Sequence, residues 1–132
     1  MKKTKRVGPV YDEYGMTQWK WIVRYRENFI LGKNVEIGAL TLIDAYKGVE
    51  IQDNVKIGWS SVIISYSSID GKNGKVLLKK NSCIGANSVV MPGVTVGENA
   101  VVGANSLVTK DIPANEIWLG SPAKFYKKRA VK

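Results

Sequence analysis

The stretch VIISYSSIDGKNGKV, residues 62–76, places Tyr66, Ser67, Ser68 and Asp70 close together. Hydroxyls beside a carboxylate are the ingredients of proton transfer to or from an acceptor group, and loops on a rigid scaffold commonly carry such chemistry. The usual base is missing, because the chain contains no histidine. An unperturbed tyrosine titrates near pH 10 and a histidine near 6.5, so bringing Tyr66 down to about 7 requires roughly 4 kcal/mol of phenolate stabilisation. Asp70, or Asp44 further upstream, serves as base only if burial raises its pKa. DGKNG, residues 70–74, also reads as a plain turn.

Composition narrows the possibilities. With 132 residues, 45% hydrophobic content and 13 glycines, the chain is expected to form one domain rich in tight corners. Its basic start, MKKTKRVGPV, is not followed by an apolar run, so no signal peptide or membrane span is read and a cytoplasmic protein is expected. The single cysteine, Cys83, excludes an internal disulfide framework, and without histidine a zinc site has almost no ligands, so no metal is expected. The net charge of +9 is concentrated at Lys2, Lys3, Lys5 and Arg6 and at Lys124, Lys127, Lys128, Arg129 and Lys132. These are either solvated termini or contacts to a phosphate-bearing ligand; no nucleic-acid motif accompanies them.

The elements that must position the loop are announced by a repeat. Aliphatic residues recur every six positions as Leu31, Ile37, Ile43; Ile51, Ile57, Ile63; Leu78, Ile84, Val90; and Val96, Val102, Val108. Four residues after most of these comes a second, usually smaller residue, as at Val35, Thr41, Val55, Ser61, Ser82, Ser88, Val94, Ala100 and Ser106. Three residues after, Asn34, Asn54, Asn81, Asn87, Gly93, Asn99 and Asn105 mark corners, being the residue types that tolerate positive φ. Neither a helix nor a hairpin repeats at six, whereas a short strand plus a turn does. Three strands and three corners per coil, with coils about 4.8 Å apart, form a parallel β-helix.

The faces of this prism differ. Beside Ile43, Ile63, Val90 and Val108 stand Leu42, Val62, Val89 and Leu107, so this face is apolar on both sides and must be covered by a sister subunit or by the N-terminal segment. Gly38, Gly58, Gly85 and Gly103 follow the second column, a stripe that either suits strand geometry or admits a close neighbour. Both departures from the period, between Ile43 and Ile51 and between Ile63 and Leu78, leave the edge after the apolar face, so loop 65–77 is expected to overhang it.

The repeat, with VVGANSLVTKDIP and LGSPAKFYKKR, resembles the hexapeptide-repeat acyltransferases over roughly residues 31–129. The resemblance implies an all-β fold, a left-handed parallel β-helix of about four coils, and a homotrimer joined through the Leu42/Val62/Val89/Leu107 face. It implies transfer of an acetyl group from acetyl-CoA to a hydroxyl or amine, with a carbohydrate or nucleotide-sugar acceptor. The coenzyme arm is expected along Gly103, Ala104 and Ser106, with Gly85 and Ala86 one coil earlier. Thr109 and Lys110 are expected at its nucleotide end, and Lys124 and Arg129 near its phosphates. Related chains carry histidine where this one has Tyr66, which leaves open an enzyme with a replaced base, a ligand-binding trimer without turnover, and a structural trimer. The zinc-dependent carbonic anhydrases of this fold use three histidines that have no counterparts here.

The organisation expected is a cap over residues 1–30, the β-helix over 31–113 and a basic segment over 114–132. The cap carries Tyr14, Trp19, Trp21, Tyr25 and Phe29, which either cover the open end of the prism or stack on a sugar. Trp21 and Tyr25, four apart, are spaced to share a helical face.

Overall fold

The computed structural model describes residues 7–130, so Lys2, Lys3, Lys5, Arg6 and Lys132 lie outside the described residues. The chain forms β1 (Ile22–Arg24), one 3-10 turn (Arg26–Asn28) and then four coils of three strands. These are β2 (Phe29–Leu31), β3 (Glu36–Ile37) and β4 (Leu42–Asp44); β5 (Val49–Ile51), β6 (Lys56–Ile57) and β7 (Val62–Ile64); β8 (Val76–Leu78), β9 (Cys83–Ile84) and β10 (Val89–Val90); and β11 (Thr95–Val96), β12 (Val101–Val102) and β13 (Leu107–Val108). β14 (Glu116–Gly120) and β15 (Ala123–Lys128) follow. The first sheet runs β1-β4-β7-β10-β13, the second β2-β5-β8-β11, and the third β3-β6-β9-β12-β14-β15. All pairs are parallel except β14 with β15.

The six-residue period is the register. Ile43, Ile63, Val90 and Val108 stack in one column, Leu31, Ile51, Leu78 and Val96 in a second, and Ile37, Ile57, Ile84 and Val102 in a third. Most of these side chains are shut off from solvent, and burial of each is worth about 1.5–3 kcal/mol, which makes this spine the main stabilising element. The smaller residues complete the interior at the corners. Thr41, Ser61 and Ser88 donate their hydroxyls to the carbonyls of Gly58, Gly85 and Gly103 in the next coil, at 3.2, 3.2 and 3.0 Å. Ser82 is the exception, since its buried Oγ has no hydrogen-bond partner.

The expected bends are present, with φ between 57° and 65° at Asn34, Asn54, Asn81, Asn87, Asn99 and Asn105 and 80° at Gly93. Leu40 and Ser60 take the same left-handed conformation, at 65° and 57°, with no help from residue type. The glycine stripe has an internal cause. A Cβ on Gly58 would lie 2.4 Å from the Ala86 nitrogen, and one on Gly85 would lie 2.4 Å from the Ala104 nitrogen. The close neighbour is therefore the next coil of the same chain.

The ends differ from expectation in detail. Trp21 is buried within the core cluster, with Tyr11 edge-on at 6.1 Å, so the N-terminal segment covers part of the prism. Residues 22–24 are extended rather than helical, and Tyr25 turns left-handed at φ 59°, because β1 finds hydrogen-bonding partners along β4. The stacking thus begins before residue 31, and β14 carries the third sheet beyond residue 113.

Gly85→Ala is expected to lower stability by about 1–3 kcal/mol through overpacking between the third and fourth coils. A chemical denaturation curve unchanged from the parent would contradict this account of the stripe.

Candidate active site

β4 and β7 lie side by side, with Asp44 opposite Ile64, and the chain leaves both strands at the same corner. After β4, Asp44 Oδ1 accepts the Tyr46 N–H at 2.9 Å, and Gly48 closes a short turn by donating to the Ala45 carbonyl at 2.9 Å. After β7, buried Ser65 locks the two exits together. Its hydroxyl donates to the Asp44 carbonyl and accepts the Lys47 N–H, each at 2.8 Å.

From this root the loop rises as a small hairpin. Tyr66 and Asn73 form an antiparallel bridge, and the Ser67 N–H donates to the Lys72 carbonyl at 2.8 Å. At the tip, Ile69 is 94% exposed. Lys75 anchors the returning chain, its Nζ 2.7 Å from Glu50 Oε1, which holds the Glu50 carboxyl below its usual range. The apolar column Leu42, Val62, Val89 and Leu107 is only half-buried beside this corner.

The three candidate bases occupy different settings. Asp70 is a turn residue: its Oδ1 accepts the Lys72 N–H at 3.1 Å, and it is fully open to solvent. The Lys72 N–H, assisted by the Ser67 hydroxyl, holds its carboxyl below the usual aspartate range, opposite to the shift a base requires. Tyr66 is half-buried and packs edge-on against Tyr46 at 5.3 Å, while Tyr46 meets Tyr25 at 4.9 Å. Tyr46 is missed by motif reading, and Tyr25 is read there only as part of the cap. Only once the corner turns are aligned in space do the three phenols form a ladder, with Lys47 over the middle ring at 4.8 Å. Asp44 is half-buried on the outer face of the first sheet.

The residues expected to hold a coenzyme are spread around the prism. Gly85 and Gly103 directly follow β9 and β12 of the third sheet, and Ala86 and Ala104 are exposed at its corner with the first. Beside this stripe runs a groove of about 480 Å³ lined by Gly38, Gly58, Gly85, Trp59 and Cys83. Thr109 and Lys110 are exposed beyond β13, and Lys124 is exposed on β15. Two of these residues also brace the frame: Ser106 is buried and its Oγ accepts the Gly120 N–H at 3.0 Å, and Arg129 Nη1 donates to the carbonyls of Asn81 and Asn99 at 3.3 and 3.1 Å. Among the described residues there is no group of three potential metal ligands, and no helix is long and apolar enough to cross a membrane.

This architecture has relatives. Residues 75–110 match the family described as bacterial transferase hexapeptide (six repeats). Galactoside O-acetyltransferase of Escherichia coli K12 is 36% identical over 129 residues, covering 88% of this chain and 56% of that protein. The crystal structure of a hexapeptide-repeat acetyltransferase of Vibrio cholerae, complexed with acetyl coenzyme A, superposes with a TM-score of 0.79 at 25% identity, covering 84% of this chain and 66% of that one. A maltose O-acetyltransferase of Clostridium difficile 630 superposes with a TM-score of 0.70 at 28% identity, covering 84% and 64%. The hexapeptide repeat is matched over residues 75–110, and the fold is the left-handed β-helix of the hexapeptide acetyltransferases on which the chain superposes. It spans less than two thirds of the length of the curated relatives it matches.

Because its folded-state pKa is depressed, Asp70 contributes to the order of its turn above the ordinary aspartate pKa, and that contribution is lost as pH falls through the lowered value. An NMR titration is expected to place its carboxyl below a peptide aspartate, and a midpoint above one would restore it as a candidate base.

Proposed function

We propose that the protein transfers an acetyl group from acetyl-CoA to a hydroxyl or amine of a carbohydrate or nucleotide-sugar, at the corner where loop 65–77 overhangs the outer face of the first sheet. The observation that carries this reading is the convergence at that corner of a half-buried carboxylate, Asp44, a braced loop and an apolar face needing a cover. The sugar-acetylating relatives and the neighbour crystallised with acetyl coenzyme A support the choice of donor and acceptor.

In the reaction, the acceptor oxygen or nitrogen attacks the thioester carbonyl, its proton passes to a base, and the carbon–sulfur bond breaks to release the coenzyme thiol. Asp44 is the base this geometry favours. It is half-buried on the outer face of the first sheet where Asp70 is open to solvent, and with one oxygen accepting the Tyr46 N–H the other is left to receive the proton. Tyr66 lines the site, and Asp70 shapes the loop.

The residues present suit the coenzyme. Exposed Ala86 and Ala104, which follow Gly85 and Gly103, offer only small side chains to the extended arm, and exposed Lys110 and Lys124 suit its phosphates. Covering Leu42, Val62, Val89 and Leu107 by sister subunits completes a homotrimer and brings the loop of one subunit against the next. The lack of histidine favours a second reading, a trimer that binds the coenzyme without turnover.

An acetyl-transfer assay with galactosides, maltose and amino-sugar nucleotides separates these readings. Asp44→Asn is expected to lower kcat by about 10²–10⁴ with little change in acetyl-CoA affinity, whereas Tyr66→Phe retains most of the activity. Binding with no transfer to any acceptor supports the second reading, and a reversed ranking of the two variants moves the base to Tyr66.

Acetyl-CoA binding is expected to weaken with salt and with Lys110→Ala, and sedimentation to give the mass of three chains. Absence of binding at millimolar acetyl-CoA overturns the donor site, and a monodisperse monomer overturns the proposed interface.

A further inference from the structure

β1 covers the start of the first sheet only, so β2 and β3 remain the edge strands of the second and third sheets. Above them lies a cleft of about 830 Å³, within the range of small-molecule sites. Its floor is the first-coil spine, Leu31, Val35 and Ile37, which lack a preceding coil and are only half-buried. One wall is a pair of indoles. Trp21 is 4% exposed, and Trp19 lies nearly parallel to it, 15° apart with centroids at 6.2 Å, yet remains 44% exposed.

Both walls are held before any ligand arrives. Thr17 closes the turn that presents Trp19: its Oγ1 donates to the Trp21 carbonyl at 3.0 Å, and its carbonyl accepts the Lys20 N–H at 3.0 Å. Gln18 clips the Gly8–Val10 stretch to this turn, donating to the Gly8 carbonyl at 2.9 Å and accepting the Val10 N–H at 2.7 Å. Across the cleft, the Lys33 N–H donates to Asp53 Oδ1 at 2.8 Å, and Asn34 turns left-handed at φ 57°.

Among the described residues, the rim contributes one cation, one carboxamide and one carboxylate, from Lys33, Asn34 and Glu36. This set donates and accepts hydrogen bonds without a net charge, which selects a neutral polyhydroxylated ligand. A fatty chain would leave the rim unused, and a phosphate would meet Glu36. An aromatic platform facing polar groups of both kinds suits a ring with one apolar face and a hydroxylated edge. We propose that this N-terminal cleft is a second, non-catalytic carbohydrate site that holds a pyranose ring against Trp19 between Lys33, Asn34 and Glu36. It lies at the end of the prism, away from the corner beneath loop 65–77, and needs neither coenzyme nor turnover.

The test is an NMR titration of the full chain, without coenzyme, with maltose and methyl glucoside up to about 100 mM, the range for a millimolar site. The indole N–H resonances of Trp19 and Trp21 are expected to shift saturably while those of Trp59 and Trp118 stay in place. Trp19→Ala is expected to weaken maltose binding about tenfold or more and Glu36→Gln by a smaller factor, with the thermal midpoint recorded for each variant. Tyr126→Ala, exposed on β15 and outside the cleft, serves as the control and is expected to bind like the parent. Unmoved Trp19 and Trp21 resonances, maltose binding indifferent to Trp19→Ala in a folded variant, or tighter binding of octanoate or a nucleotide than of either sugar would overturn the proposal. Because the readout is the pair of indoles lining this cleft and the titration omits acetyl-CoA, maltose held at the acceptor corner leaves it unmoved, and its outcome is independent of whether the protein transfers acetyl groups.

Discussion

Successive coils approach to hydrogen-bonding distance along the third sheet because Gly58 and Gly85 carry no side chain where the backbone of the next coil passes. The hydrogen-bonded ladders of the three sheets set the pitch, these glycines accommodate it, and the pitch brings the inward aliphatic residues into unbroken columns. Thr41, Ser61 and Ser88 use the same approach by handing their hydroxyls to the glycine carbonyls of the following coil. A polar interior column is tolerated because these hydroxyls have a carbonyl within reach, and Ser82 shows the alternative, an oxygen held in the core without a partner. The candidate site inherits its rigidity from this stacking, since Ser65 ties the loop root to the preceding coil by the same device.

Much of the frame is legible in the residues themselves. An interior six residues apart, with asparagine or glycine at one phase, admits few windings, and the register follows the columns read from Leu31 to Val108. The corners at Leu40 and Ser60 are not marked by residue type; there the neighbouring coils impose the left-handed backbone, so composition carries no trace of it. β1 escapes periodic reading for a related reason. Three residues are too few to show a period, and Ile22–Arg24 become a strand only because β4 offers an open edge.

The site is less legible than the fold. Loop 65–77 stands out as an interruption, yet the work of its residues depends on contacts that spacing does not encode. Asp70 looks like a base in sequence and is a turn cap in space, while Arg129 looks like a phosphate ligand and braces the carbonyls of Asn81 and Asn99. The tyrosine ladder is hidden because Tyr25 and Tyr46 lie in segments of different length that meet only when the coils stack.

The short turn after β4 and the long loop after β7 leave from a single edge of the prism, while the other two edges turn with nearly constant length. Added chain at that edge projects outward and disturbs neither the columns nor the pitch, and the cost of lengthening it grows only slowly with residue number. Variation in what the protein recognises can therefore accumulate along one seam, while the winding that carries it is left unaltered.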